Sequence, residues 1–336
     1  MRFWDNYITR REFQESERES GLKRVGPAKV GMEYLERGTE ENNLSDLISY
    51  VSQKLEATDR FYSASTPTDF RLVGTDLTFT SPLAGTPRAN NRVIARLYRA
   101  RKSDRAIVLL PHWNAKREAL STFCTLLARF GITCLHLSLP YHDERQTPDH
   151  GFAHELVSEN IGQTIQANRQ AVLDGRACLD WLEREGYSSL GVVGISLGSS
   201  IAAIISAHDE RVKAAALLLM ADDFTDVVWT SSATVHVRSG LERDFSRTDI
   251  GKAWTIISPN RFADRLSARL KDILIISGTR DAVFVPALTR QYVERLLCLG
   301  ARPIWRRYPC GHYTLSMMPF NILTFANLYI HLKRRL

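Results

Sequence analysis

Leu190-Gly-Val-Val-Gly-Ile-Ser-Leu-Gly-Ser-Ser200 is the stretch on which the fold of this chain turns. It reads as an apolar β-strand that runs into Gly194-Ile195-Ser196-Leu197-Gly198 and then into the helix Ser199–Ala207. A serine that lifts its hydroxyl clear of a sheet must sit in a tight, strained turn with positive φ. The residues two before and two after it then crowd each other, and glycine, lacking Cβ, fits both places. Leu197 opens the helix, so its backbone N–H points toward whatever bonds to Ser196. Glycine-x-serine-x-glycine between a strand and a helix is the pattern of a nucleophile elbow. The competing reading is a glycine-rich turn carrying an exposed serine.

Outward from this point the chain alternates. Upstream, Phe70–Thr80 and Arg92–Arg99 carry period-two patterns separated by a Pro/Gly/Asn-rich loop. Arg105–Pro111 is a buried strand, Ala115–Phe130 an amphipathic helix ended by Gly131, and Ile132–Leu139 a strand. Residues 153–185 carry helical spacing with Gly186 as the stop. Downstream, Val212–Met220, Ile273–Ser277 and Pro303–Tyr308 read as strands, Pro286–Leu297 and Ser316–Leu332 as helices. Such alternation predicts an α/β fold, a mainly parallel central sheet with helices on both faces and right-handed crossovers. Residues 221–267 break the rhythm and read as a cap insertion at the carboxyl end of the strands. Residues 1–65 read as an N-terminal helical extension to a domain of residues 66–336. Phe3, Trp4, Tyr7 and Ile8 share helical spacing there, as do Leu44, Leu47, Ile48, Val51 and Leu55, but no chemistry is visible.

Bulk properties narrow the class. A hydrophobic fraction of 44% and a charged fraction of 24% belong to an ordinary globular protein. The net charge of +7 would suit an anionic substrate or membrane surface, but it is spread among 37 acidic residues without a polybasic tract, so membrane contact stays open without support and nucleic acid is not an expected partner. Five cysteines without a C-x-x-C pair, set in apolar runs, read as buried free thiols of a reducing compartment. The first residues lack a continuous apolar run and Met317–Leu332 is too short and broken for a span, so a cytoplasmic protein is expected.

A serine nucleophile needs a base and a group to orient that base. Ligands bind at the carboxyl ends of parallel strands, so these partners should follow strands. Asp281, in Ser277-Gly-Thr-Arg-Asp-Ala-Val-Phe-Val-Pro286, and His312, in Tyr308-Pro-Cys-Gly-His-Tyr313, satisfy that condition. Asp222 and Asp223, after Val212–Met220, are rivals for the acid, or else cap the helix that opens the insertion. Cys310 lacks an elbow and reads as packing behind the histidine turn.

From about Arg105 onward the chain resembles the α/β-hydrolase superfamily, in particular bacterial esterase-type hydrolases of the acetyl-esterase and dienelactone-hydrolase-like groups. The shared residues are Gly194-Ile195-Ser196-Leu197-Gly198, Gly278-Thr279-Arg280-Asp281 with Val285-Pro286, and Gly311-His312, in the order Ser196, Asp281, His312. The resemblance implies cleavage of an ester, thioester or amide through an acyl-enzyme, with no cofactor and no metal, on a small-molecule or lipid ester. It also implies an oxyanion hole of two backbone N–H groups. One is Leu197; the other comes from Pro111-His-Trp-Asn114, where Asn114 is preferred and Trp113 is the alternative, Trp113 standing where many relatives have glycine. Among the loop residues after Ile132–Leu139, His142 and Arg145 are candidates to bind substrate, as are Trp229 and Trp254 in the insertion. An acyltransferase, a peptidase or a non-catalytic ligand-binding hydrolase fold would present the same motifs.

Overall fold

Apolar strands alternating with helical connections build a single nine-stranded sheet. The computed structural model describes residues 2–20, 25–35, 43–85, 87–146, 152–270 and 272–336. The strands are β1 (Arg71–Val73), β2 (Asp76–Thr80), β3 (Arg92–Tyr98), β4 (Arg105–Leu110), β5 (Thr133–Leu137), β6 (Ser189–Ile195), β7 (Val212–Leu218), β8 (Leu274–Gly278) and β9 (Ile304–Tyr308). Their spatial order is β1-β2-β3-β5-β4-β6-β7-β8-β9. The pairs from β1 to β5 through β3 are antiparallel, and all pairs from β5 to β9 are parallel. Order reverses around β4, and β6, the elbow strand, lies between β4 and β7 near the middle of the parallel part.

Alternate residues of the central strands feed two cores. Val108, Leu110, Val192, Leu217 and Ile275 point to one face, covered by the helices Ile161–Arg184, Leu197–His208 and Pro286–Cys298. Ile107, Leu109, Val193, Ala216 and Ile276 point to the other, covered by Ser121–Arg129, Phe320–Arg335 and Ile8 of the N-terminal helix Arg2–Ser20. Both faces being covered, the strands read as continuous apolar runs.

Several boundaries move for local reasons. Phe70–Thr80 is a hairpin, because Gly74 at φ 62° turns the chain between β1 and β2. The helix expected over Ala115–Phe130 forms only from Ser121, and the long helix begins at Ile161, where the Asn160 side chain caps Gln163 N–H at 3.0 Å. The closing helix starts at Phe320, directly after Pro319. Residues 221–267 hold the helices Phe224–Thr230, Val235–Leu241 and Arg247–Trp254 and the start of Ala263–Arg269, all between β7 and β8. Phe3 and Trp4, read with Tyr7 and Ile8 as one apolar face, have side chains outside the described residues. Among the described residues no helix is long and apolar enough to cross a membrane. The thiols of Cys124, Cys134, Cys178 and Cys310 are buried as expected, whereas Cys298, at the end of its helix, is exposed.

Candidate active site

Where β6 ends, Ser196 stands at φ 54° and ψ −123°, a strained conformation for a residue with a side chain. The flanking glycines explain how it is held. A Cβ on Gly194 would lie 2.2 Å from the Gly198 carbonyl oxygen, and one on Gly198 would lie 2.2 Å from that of Leu110. Any side chain at either position would push the turn apart. Ser196 N–H donates to Leu218 O on β7 at 2.8 Å, tying the turn to the next strand.

Ser196 Oγ lies 2.8 Å from His312 Nε2, and His312 Nδ1 lies 2.8 Å from Asp281 Oδ2. The other Asp281 oxygen accepts the N–H groups of Val283 and Phe284 at 2.8 and 2.7 Å. Asp281 follows β8 and His312 follows β9, so three loops at the carboxyl end of the parallel strands converge. The arrangement gives a hydroxyl in contact with a base whose tautomer a buried carboxylate fixes. Asp222 and Asp223 are elsewhere: Asp223 caps the helix Phe224–Thr230 through Thr225 and Asp226 N–H, and Asp222 lines a separate cleft with Asp226 and Arg247. Burial, reinforced by the neighbouring Asp223 charge, pushes the Asp222 carboxyl up to about 7. Cys310 is fully buried, and burial with Glu12 and Asp281 nearby raises its thiol to about 12, which disqualifies it as a nucleophile.

Two cavities meet at Ser196. The larger, about 510 Å³, is walled by Trp113, Phe123, Leu219, His312 and Met317, with Arg11 and Glu15 of the N-terminal helix. The smaller, about 40 Å³, lies between Leu197, Trp113, Phe224, Val228, Ala233 and Phe284. Leu197 is the first residue of its helix, where the N–H has no intrahelical acceptor.

Other site residues expected from the sequence are corrected here. Asn114 gives its N–H to His142 Nε2 at 2.8 Å, so that amide is committed inside the protein and is not open to an oxyanion. His142 is buried, with Nδ1 bonded to Pro140 O at 2.9 Å; burial lowers its pKa to about 4 and leaves it a neutral brace. Arg145 is fully buried, 2.7 Å from Asp174, and lines neither of these two cavities. Trp254 is core: it is fully buried, packs edge-on against Phe224, and donates its N–H to Ile161 O at 3.3 Å. Trp229 packs against the same core and walls neither cavity. Unforeseen was Glu12, buried beneath the His312 loop.

Strand order, elbow and the placement of serine, aspartate and histidine after successive parallel strands define an α/β-hydrolase, and by fold this chain is one. The family model described as alpha/beta hydrolase domain containing 18 matches residues 101–239, less than half the chain, including Ser196 but neither Asp281 nor His312. Solved structures of similar fold include acetyl xylan esterase from Paenibacillus sp. R4 (14% identity, TM-score 0.62, covering 91% of this chain and 99% of that one). Acetyl xylan esterase 1 from Thermoanaerobacterium sp. JW/SL YS485 is also similar (14%, TM-score 0.57, covering 94% and 98%). Pyrococcus horikoshii acylaminoacyl peptidase matches at 13% identity and TM-score 0.61 over 80% of this chain. The chain spans 42% of that peptidase's length. No curated protein sequence matches the chain.

Proposed function

We propose that this protein is a serine hydrolase that cleaves a carboxylic ester, or a thioester, through an acyl-enzyme on Ser196. The observation that carries the reading is the Ser196–His312–Asp281 chain of 2.8 Å contacts opening onto a cavity of about 510 Å³. Ser196 Oγ attacks the carbonyl carbon while its proton passes to His312 Nε2. Asp281 holds the imidazole and stabilises its charge, and the N–H groups of Leu197 and Trp113 receive the oxyanion. Collapse breaks the bond to the leaving oxygen or sulfur, which takes the proton from His312. Water then repeats the sequence on the acyl-enzyme and releases the acid.

The two cavities suggest a division of the substrate. The small one, beside the Leu197 N–H, suits a short acyl group; the large one suits the leaving group. In this reading residues 221–267 act as a cap that selects the acyl group through Phe224, Val228 and Ala233. The acetyl xylan esterases among the similar folds support a small acyl group. A fluorophosphonate probe should label Ser196, and nitrophenyl esters graded by chain length should be turned over best at the short end. Peptide mapping of the adduct to any other residue, or no labelling at all, would sink the proposal.

A further inference from the structure

The His312 loop is not held by its own domain alone. Gly311 N–H donates to Thr314 Oγ1 at 2.9 Å, which curls the loop so that two further N–H groups converge. His312 N–H donates to Glu12 Oε2 at 2.9 Å, and Thr314 N–H donates to Glu12 Oε1 at 2.7 Å. Successive backbone N–H groups in such a turn form an anion-binding concavity, here filled by a carboxylate from the N-terminal helix. Glu12 is 5% exposed, so these charge-assisted bonds form away from water. The fit is close: a Cβ on Gly311 would meet Glu12 Cδ at 2.2 Å.

We infer that Glu12 is a positioning residue for His312, and that the N-terminal helix is part of the active site and not a decoration on it. The inference rests on the catalytic reading of His312 given above. Asp281 fixes the ring from its Nδ1 side; Glu12 fixes the main chain from which the ring projects. Without the carboxylate, the two N–H groups turn to water and the loop loses the register that brings Nε2 to 2.8 Å from Ser196. A displacement of about 1 Å at a reacting group costs on the order of a hundredfold in rate. The same helix presents Arg11 and Glu15 to the large cavity, so its seating sets both the base and one wall.

The test uses the full chain and Glu12→Gln, whose amide retains one acceptor and presents a donor to the second N–H. On a short activated ester, kcat should fall roughly tenfold to a hundredfold while KM stays within about twofold. The low-field imidazole N–H proton of His312, identified by its loss in Asp281→Ala, should broaden or shift in Glu12→Gln. A helix anchor alone would lower Tm and leave kcat and that resonance unchanged, and this result would overturn the inference. Where Glu12→Gln does not fold, Gly311→Ala replaces it, since the new methyl displaces the carboxyl without removing a charge. It should reproduce the kcat loss and the altered resonance, and wild-type values for both would overturn the inference. Combined with Glu12→Ala, it should cost no more than the worse single variant, whereas multiplicative losses would show that the two act apart. The resonance needs no turnover. If the wild-type chain neither labels with phosphonate nor cleaves an ester, the hydrolase reading falls, and the resonance still decides the positioning role.

Discussion

Ser196 contributes little beyond its hydroxyl, and removing that hydroxyl should remove the chemistry while sparing the fold. Ser196→Ala should lose turnover by several orders of magnitude with an unchanged melting curve. Asp281→Asn should lose about 10⁴ in kcat, because an amide on Nδ1 favours the wrong tautomer; retention of most activity would remove Asp281 from the relay. Asp222 makes a different prediction. Its Oδ1 is buried without a hydrogen-bond partner, and its carboxyl is raised from an ordinary 3.8 to about 7. Between about pH 4 and pH 7 the folded chain therefore holds a proton that the unfolded chain has lost. Stability falls as pH rises through that window, by on the order of 4 kcal/mol when ionisation is complete. Asp222→Asn should accordingly raise Tm by several degrees at pH 8 and hardly at all at pH 5. An equal change at both pH values would show that Asp222 does not titrate in the fold. That Ser196, Asp281 and His312 would share one site was legible because each follows a strand in the right order. Glu12 was not: its partners lie 300 residues away, and they are backbone N–H groups, which leave no mark in side-chain patterning.

At the scale of elements, what the sequence shows is whatever has a repeating apolar period. The parallel strands from β4 to β9 repeat apolar side chains for the two cores and were read to within a few residues, whereas the helix Ile161–Arg184 starts eight residues later than its apolar spacing suggests. Among its described side chains, the N-terminal helix Arg2–Ser20 buries Ile8, Glu12 and Ser16 on one face, only one of them apolar. Ile8 and Glu12 are buried while Phe13 is 62% exposed, so its seat depends on a carboxylate that no hydrophobic pattern can announce. Tryptophans in the insertion were misread for a related reason: apolar bulk on a projecting segment looks the same whether it walls a pocket or anchors the segment. The structure separates the two roles. Trp254 is fully buried in the main core, whereas Val228 borders the small cavity beside Ser196. Trp254→Ala should destabilise by ~3–5 kcal/mol without altering chain-length preference. Val228→Ala, which opens about two methylenes of space, should cost ~1–3 kcal/mol and shift turnover toward longer acyl groups. Ester panels on both variants check this; an unchanged acyl preference in Val228→Ala would exclude the small cavity as the acyl site.

Across the whole molecule, the antiparallel edge must be locked to the parallel half in one register, and a buried polar network does this. Arg145, in the loop after β5, donates to Asn90 O at 3.1 and 2.8 Å, to Ser138 O at 2.9 Å and to Asp174 Oδ2 at 2.7 Å. Asp174 lies within the long helix, and its other oxygen accepts from Ser81 Oγ at 2.6 Å. Gln170, one turn earlier, accepts from Asn90 Nδ2 at 2.7 Å and donates to Ser81 Oγ at 3.1 Å. The connection from β2 to β3, the loop after β5 and the helix are thereby joined through fully satisfied groups. From sequence alone, Arg145 was a polar residue after a strand, the same signature as a substrate ligand, because nothing local says whether such a loop turns inward. The pair need not add net stability, since desolvation offsets the attraction, but breaking it on one side strands a charge. Arg145→Met should therefore cost ~3–5 kcal/mol at neutral pH, whereas Arg145→Met with Asp174→Leu should recover much of that. Burial already pushes the Asp174 carboxyl up against the opposing pull of Arg145, so without the guanidinium it should take a proton more readily. The deficit of Arg145→Met should then shrink as pH is lowered toward 5, while that of the double variant should stay level. Denaturant unfolding of the three proteins at two pH values measures both effects, and a pH-independent deficit in the single variant would show that the stranded carboxylate is not its cause.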